Sequence, residues 1–151
     1  MPVIEEMIEI ARPADDVFDF VVRGENLPRW DGSIVDCTRL DDEDGASSVT
    51  VGSRYRGATR LLGRRIEWTT EVVEHVPGIR STSASTSGPL SFTVTYQVDP
   101  TPAGSRLRYR LSADSGLGGA FGRVLEPIVE REQAKAVRAS LATLARVLEQ
   151  A

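Results

Sequence analysis

Cysteine and histidine are nearly absent from this chain: each occurs once, as Cys37 and His75. A single cysteine excludes an internal disulfide, and a single histidine without companion thiols leaves no metal centre of the usual Cys/His kind. Neither residue stands at a spacing that marks a nucleophile and its base. His75 is therefore expected at the surface and Cys37 packed in or near its strand. Basic charge is also short. Lys135 is the single lysine, and 18 basic against 22 acidic residues leave a net charge of -4, a balance that argues against a nucleic-acid partner or an anionic membrane surface. No apolar run approaches the roughly 18 residues of a membrane span, so no integral membrane association is expected. The opening MPVIEEMIEI has neither a basic n-region nor an apolar h-region, and a cytoplasmic location follows by default.

What is there is the composition of a globular protein: 151 residues, 40% hydrophobic and 26% charged. The length suits one domain, residues 1–151, with a real core. Val3 to Ala11 alternates, with Ile4, Glu6, Ile8 and Ile10 on one face of a strand. A short helix follows, with Pro13 in its first turn, Asp15 and Asp16 at its positive end, and Val17, Phe18, Phe20 and Val21 as apolar positions. The stretch ENLPRWDG then places Trp30 among turn residues, so another element must close over the indole. Ser33 to Leu40 forms a second strand, and the acidic DDEDGASS, 41–48, a hairpin loop.

A meander follows. Val49 to Leu62 places Val49, Val51, Tyr55, Thr59 and Leu61 on one face and Arg54, Arg56 and Arg60 on the other. After a turn at Gly63, Arg64 to Val76 places Ile66, Trp68, Thr70 and Val72 opposite Glu67, Thr69 and Glu71. Turns at VPGI and at Gly88-Pro89 flank RSTSASTS, a strand with small polar residues on both faces. Leu90, Phe92, Val94, Tyr96 and Val98 alternate in the next strand, and Leu107, Tyr109, Leu111 and Ala113 in the last, opposite Arg106, Arg108 and Arg110. From about Leu117 the composition turns to Ala, Leu, Glu and Arg, and Val137, Leu141, Leu144 and Leu148 mark a helical stripe. Leu125, Ile128, Val129 and Glu132 extend it, and the helix either bends or starts at Pro127. The glycines of GLGGAFG do not match the dinucleotide spacing and ease entry into this helix.

Strand, short helix, Trp-bearing loop, antiparallel meander and long closing helix together resemble the START-like, or SRPBCC, superfamily, specifically its polyketide cyclase/dehydrase branch. The stretches that carry the likeness are IEIARPADDVFDFV, ENLPRWDGSI, IEWTTEVVEHVPGIR, Y-x-V-x-P at Tyr96 to Pro100, SRLRYRL and the closing helix. The resemblance implies an α+β helix-grip fold: a curved antiparallel sheet of about seven strands around the C-terminal helix, with two short helices after the first strand. It also implies a cavity between sheet and helix, and a Trp30 that anchors the plug beside Phe18.

In such a fold the Ser/Thr strand cannot supply bulky filling, whichever of its faces points inward, so either the interior is unfilled or this is a solvated edge strand with small residues on both faces. Tyr55, Trp68, Phe92, Tyr96, Tyr109, Leu125, Ile128 and Glu132 are the candidate ligand-binding residues. The tyrosines each offer an apolar body and one orienting hydroxyl. Tyr96, Tyr109 and Glu132 are also the candidate catalytic residues, Glu132 either facing the interior or pairing at its edge with Arg131 or Lys135. The arginines of the sheet read as partners of Glu67, Glu71 and aspartates in surface ion pairs rather than as a basic patch. The expected function is binding of a hydrophobic small molecule that is polyketide-, isoprenoid-, quinone- or lipid-like. The alternatives are a polyketide cyclase, aromatase or dehydratase acting in the same cavity, and a protein-interaction module of co-chaperone type. No cofactor and no metal are expected.

Overall fold

The computed structural model describes residues 3–42, 48–61, 63–88, 91–114 and 119–150, and side chains for all of these except 61, 114, 119–130 and 133. The centre of the acidic loop, Leu62, Pro89, Leu90, the first residues of GLGGAFG, and the side chains of Leu125, Ile128 and Val129 lie outside the described residues.

Seven strands form one curved antiparallel sheet. They are β1 (Val3–Ile10), β2 (Ile34–Arg39), β3 (Arg54–Leu61), β4 (Arg64–Val76), β5 (Arg80–Ser87), β6 (Ser91–Thr101) and β7 (Gly104–Asp114), in the spatial order β1-β7-β6-β5-β4-β3-β2. Between β1 and β2 come α1 (Ala14–Val21), a 3-10 turn (Gly24–Asn26) and α2 (Leu27–Trp30); α3 (Gly119–Glu149) ends the chain. The short helix fits its sequence signals: Asp15 and Asp16 lie in the first turn of α1, and Val17, Phe18 and Val21 are buried.

The core gathers at one end of the sheet. Ile10, Val98 and Leu107 of the inner face meet Phe18 and Val21 of α1, Trp30 of α2, and Leu141, Leu144 and Leu148 of α3. Polar contacts hold α3 in place. Arg12 Nη1 donates to the carbonyl of Leu148 at 2.9 Å, the Ala11 amide donates to Glu149 Oε2 at 2.9 Å, and Arg138 Nη1 meets Glu6 Oε1 at 2.8 Å. The first two tie the carbonyl end of α3, where unpaired acceptors collect, to the exit of β1.

Three sequence expectations change, and one open alternative is decided. The third strand starts at Arg54 rather than Val49, because Gly52 adopts φ 96° in a turn closed by the Ser53 amide on Thr50 O; Val51 is left exposed while Val49 is buried. Of the two alternatives at Pro127, a helix start is excluded, since the last helix already runs from Gly119. Glu132 does not extend the buried stripe: it is exposed. At about 100° per residue it stands about 180° round the helix from Leu141, so the stripe of Val137, Leu141, Leu144 and Leu148 cannot include it.

His75 is the third changed expectation, since it is half-buried on the inner face rather than at the surface. The pairing of β4 with β5 shifts between Val72 and Glu74. This irregularity turns Val73 outward and brings His75 back to the inner face, three residues after the buried Val72 instead of two. Its ring packs against Phe18 with centroids 5.5 Å apart, and its Nδ1 lies 3.1 Å from Ser81 Oγ. Burial holds the His75 pKa below its usual value.

Candidate functional site

Cross-strand register decides which side chains share the concave face. Tyr96 pairs with Tyr109 and with Ser81, Val94 with Leu111 and Ser83, and Phe92 with Ala113. Ser81, Ser83 and Ser85 therefore point inward, and Thr82, Ala84 and Thr86 outward, a choice the sequence left open. On the other side of β5, Thr70 pairs with Tyr55, Trp68 with Gly57 and Ile66 with Thr59.

Burial along these inner rows is graded. Leu107 is 0% exposed and Tyr109 7%, and Leu111 and Ala113 beyond them are only half-buried. β6 repeats the gradient: Val98 2%, Tyr96 8%, then half-buried Val94 and Phe92. Ser83, Ser85, Thr59 and Ile66, at the same end, are half-buried too. Among the described residues, no side chain fully covers these inner-face positions. Among the described residues, β6 and β7 are thus least covered toward the end of the β3–β4 hairpin, while Ile4 and Trp68 at that end are buried.

The structure brings together two aromatic pairs from the candidate residues. Tyr96 and Tyr109 lie edge to face with ring centroids 5.8 Å apart, at the border between the packed core and the open rows. Trp68 and Phe92 meet edge-on at 6.0 Å in the open half, and the Trp68 indole N–H donates to Thr59 Oγ1 at 2.8 Å. Tyr55 stands apart from both pairs, packed beneath the 3-10 turn. A Cβ on Gly24 would come within 2.6 Å of its ring, so close packing with the backbone fixes its place. Glu132 joins neither pair, being exposed on α3.

Around the tyrosine pair lies a polar cluster that the sequence reading missed. Trp30 packs edge-on against Tyr96 at 6.3 Å, and its Nε1 is buried without a hydrogen-bond partner among the described residues. Next to it, Asp31 Oδ1 accepts from the Ser33 amide at 3.0 Å and from Ser33 Oγ at 2.7 Å, and Ser140 Oγ of α3 lies 3.5 Å away. Burial raises the pKa of Tyr96 and Tyr109 well above the usual phenol value; Asp31 adds to the rise in both, and the second tyrosine adds to it in Tyr96. Both phenols therefore keep their protons. Asp31-Gly32 reads in sequence as turn chemistry, and Ser140 as one small residue in a helix. Only their convergence across a span of 109 positions shows the cluster.

Cys37 stands opposite Gly57 on the same face as Trp68. Burial first, then the carboxylates of Glu25 and Asp36, push its thiol pKa up to about 12, so the thiol is a packing group rather than a nucleophile. Nearby Arg39 is buried; it bonds Asp41, the carbonyl of Ser48 and Ser53 Oγ, each at 3.2 Å, and locks the edge of the sheet. No group of three or more candidate metal ligands occurs among the described residues. A surface groove of about 230 Å³ between Pro28–Trp30 and Ala139–Thr143 has no strand residue in its lining.

A curved antiparallel sheet closed on a long C-terminal helix is the helix-grip fold of START-like proteins, and solved structures agree. A protein from Thermus thermophilus superposes with a TM-score of 0.81 over 97% of both chains at 18% identity. A START superfamily protein from Mycobacterium smegmatis gives 0.67 at 19% identity over 98% of this chain and 94% of its own. The Zhui aromatase/cyclase from Streptomyces sp. R1128 gives 0.71 at 15% identity over 99% and 94%. No curated protein matches by sequence. The family model for polyketide cyclase/dehydrase and lipid transport matches residues 1–149. The chain belongs to that family.

Proposed function

We propose that this protein binds a hydrophobic small molecule, polyketide-, isoprenoid-, quinone- or lipid-like, between the inner face of the sheet and α3. The observation that carries this reading is the burial gradient: the inner rows run from a sealed core at Leu107 and Val98 to half-covered Phe92, Val94, Leu111 and Ala113. Apolar burial supplies most of the affinity, and the Trp68–Phe92 pair and the inward serines shape the body of the ligand. A dry, well-filled interior would instead favour an interaction module of co-chaperone type.

A second reading, that the bound molecule also reacts, draws on Tyr96 and Tyr109. Two protonated phenols side by side are neutral donors, suited to holding one ligand carbonyl and polarising it during cyclisation or dehydration. Native mass spectrometry of gently purified protein, followed by denaturation and analysis of the released molecule, tests the first reading. An adduct of a few hundred daltons is the expected result. A bare chain that takes up no fatty acid, quinone or aromatic polyketide overturns it. Tyr96→Phe and Tyr109→Phe separate the readings: binding retained with turnover of a reactive poly-β-ketone lost supports the enzyme.

A further inference from the structure

The arginines of the sheet fall into two sets. Arg106, Arg108 and Arg110 face outward and meet Glu9, Asp99 and Glu5 at 2.6, 3.5 and 3.2 Å. Arg65 is likewise held by Asp36 at 2.8 Å and Glu67 at 3.7 Å. Arg64 differs in both direction and partners. The β3–β4 register is unbroken from Arg54↔Glu71 to Leu61↔Arg64. Alternation then puts Arg64 in the same row as Ile66, Trp68, Thr70 and Val72, on the concave face. It is exposed, and it makes no ion pair among the described residues. Arg60, paired across the hairpin with Arg65, lies with it on the outer face.

A guanidinium without a carboxylate, at the open end of a row of apolar and hydroxyl side chains, forms a site for an anion attached to a hydrophobic body. The rise along the strand sets the scale: Trp68 lies four residues further in, about 13 Å at 3.3 Å per residue. We propose that Arg64 is the head-group anchor of the cavity, so that the preferred ligands are amphiphilic carboxylates that enter tail first, with the charge left at the mouth. This rests on the ligand-binding reading above and narrows it from hydrophobic molecules in general to organic anions. The alternative source of the same chemistry, a free inorganic anion, lacks a body to occupy the Trp68–Phe92 rows.

The test uses two probes with one tail, cis-parinaric acid and its methyl ester, titrated into the whole protein by fluorescence. The acid is expected to bind about tenfold tighter than the ester, the effect of roughly one charge-assisted hydrogen bond, and to lose that advantage in high salt. Arg64→Gln should bring the acid to the affinity of the ester and leave the ester unchanged, whereas Arg56→Gln, on the outer face, should change neither. Equal binding of the two probes by the native chain overturns the anchor and leaves the cavity reading standing. An acid preference that survives Arg64→Gln also overturns it. Binding of neither probe fails the cavity reading itself, and the anchor with it. Arg64 is exposed, so the substitution leaves the fold intact, and unchanged ester binding verifies this directly.

Discussion

The side chains nearest the interior owe their chemistry to burial more than to identity. Cys37 is the clearest case: a thiol with the usual pKa reacts with alkylating reagents near neutral pH, but this one, raised to about 12, is protonated there. Alkylation by iodoacetamide in the native protein is expected to be far slower than in the denatured chain, with a rate that still climbs at pH 10; a native rate levelling off near pH 9 contradicts it. His75 gives a pH dependence of determined sign. Its pKa in the folded state lies below its usual 6.5, so the unfolded chain takes the proton more readily. The stability this contributes is present above about pH 6.5 and is lost as pH falls toward the folded pKa. The denaturation midpoint of the native chain should therefore fall more steeply between pH 7 and pH 5 than that of His75→Gln; parallel curves contradict the burial of the ring.

Within the elements, the two halves of the inner face should respond oppositely to changes of volume. Leu144, 0% exposed on α3, lies in the packed end, and Leu144→Ala should cost about 2–5 kcal/mol of stability through the cavity it leaves. Ser83 faces inward in the open half and is only half-buried. Ser83→Leu should leave the thermal midpoint little changed and reduce uptake of hydrophobic probes by occupying their space. A large loss of stability in that variant would mean that the open half is in fact packed. Most of the strands were legible from alternation, because one face is apolar and the other polar or charged; β5, small and polar on both faces, was legible from the turns that flank it. The displaced start of β3 and the irregularity in β4 were not, since both depend on backbone geometry that alternation does not record.

For the whole molecule, charge and packing are separated in space. The outer face of the sheet is tied by exposed arginine–carboxylate pairs, and pairs of that kind each contribute little. Stability is expected to change only slightly between 0.1 and 1 M salt, as measured by denaturant midpoints. The gradient from sealed to open end also predicts the pattern of amide exchange in the sheet: Val98 and Leu107 should be protected to near the global unfolding free energy, and Val94 and Leu111 should open earlier. Uniform protection along β6 and β7 would contradict an unfilled interior.

By itself the sequence determined the order of elements, the apolar faces of strands and of the last helix, and the family likeness, because periodicity and turn chemistry are local. It also pointed to Tyr96, Tyr109, Trp68 and Phe92, since large aromatics on alternating apolar faces must meet something. Tertiary structure alone decided that Ser81, Ser83 and Ser85 face inward, that His75 returns to the inner face, that Glu132 points to solvent and that Asp31 and Ser140 meet beside the tyrosines. Each of these depends on strand register or helix phase, quantities that pairing between distant segments sets and that no local window contains.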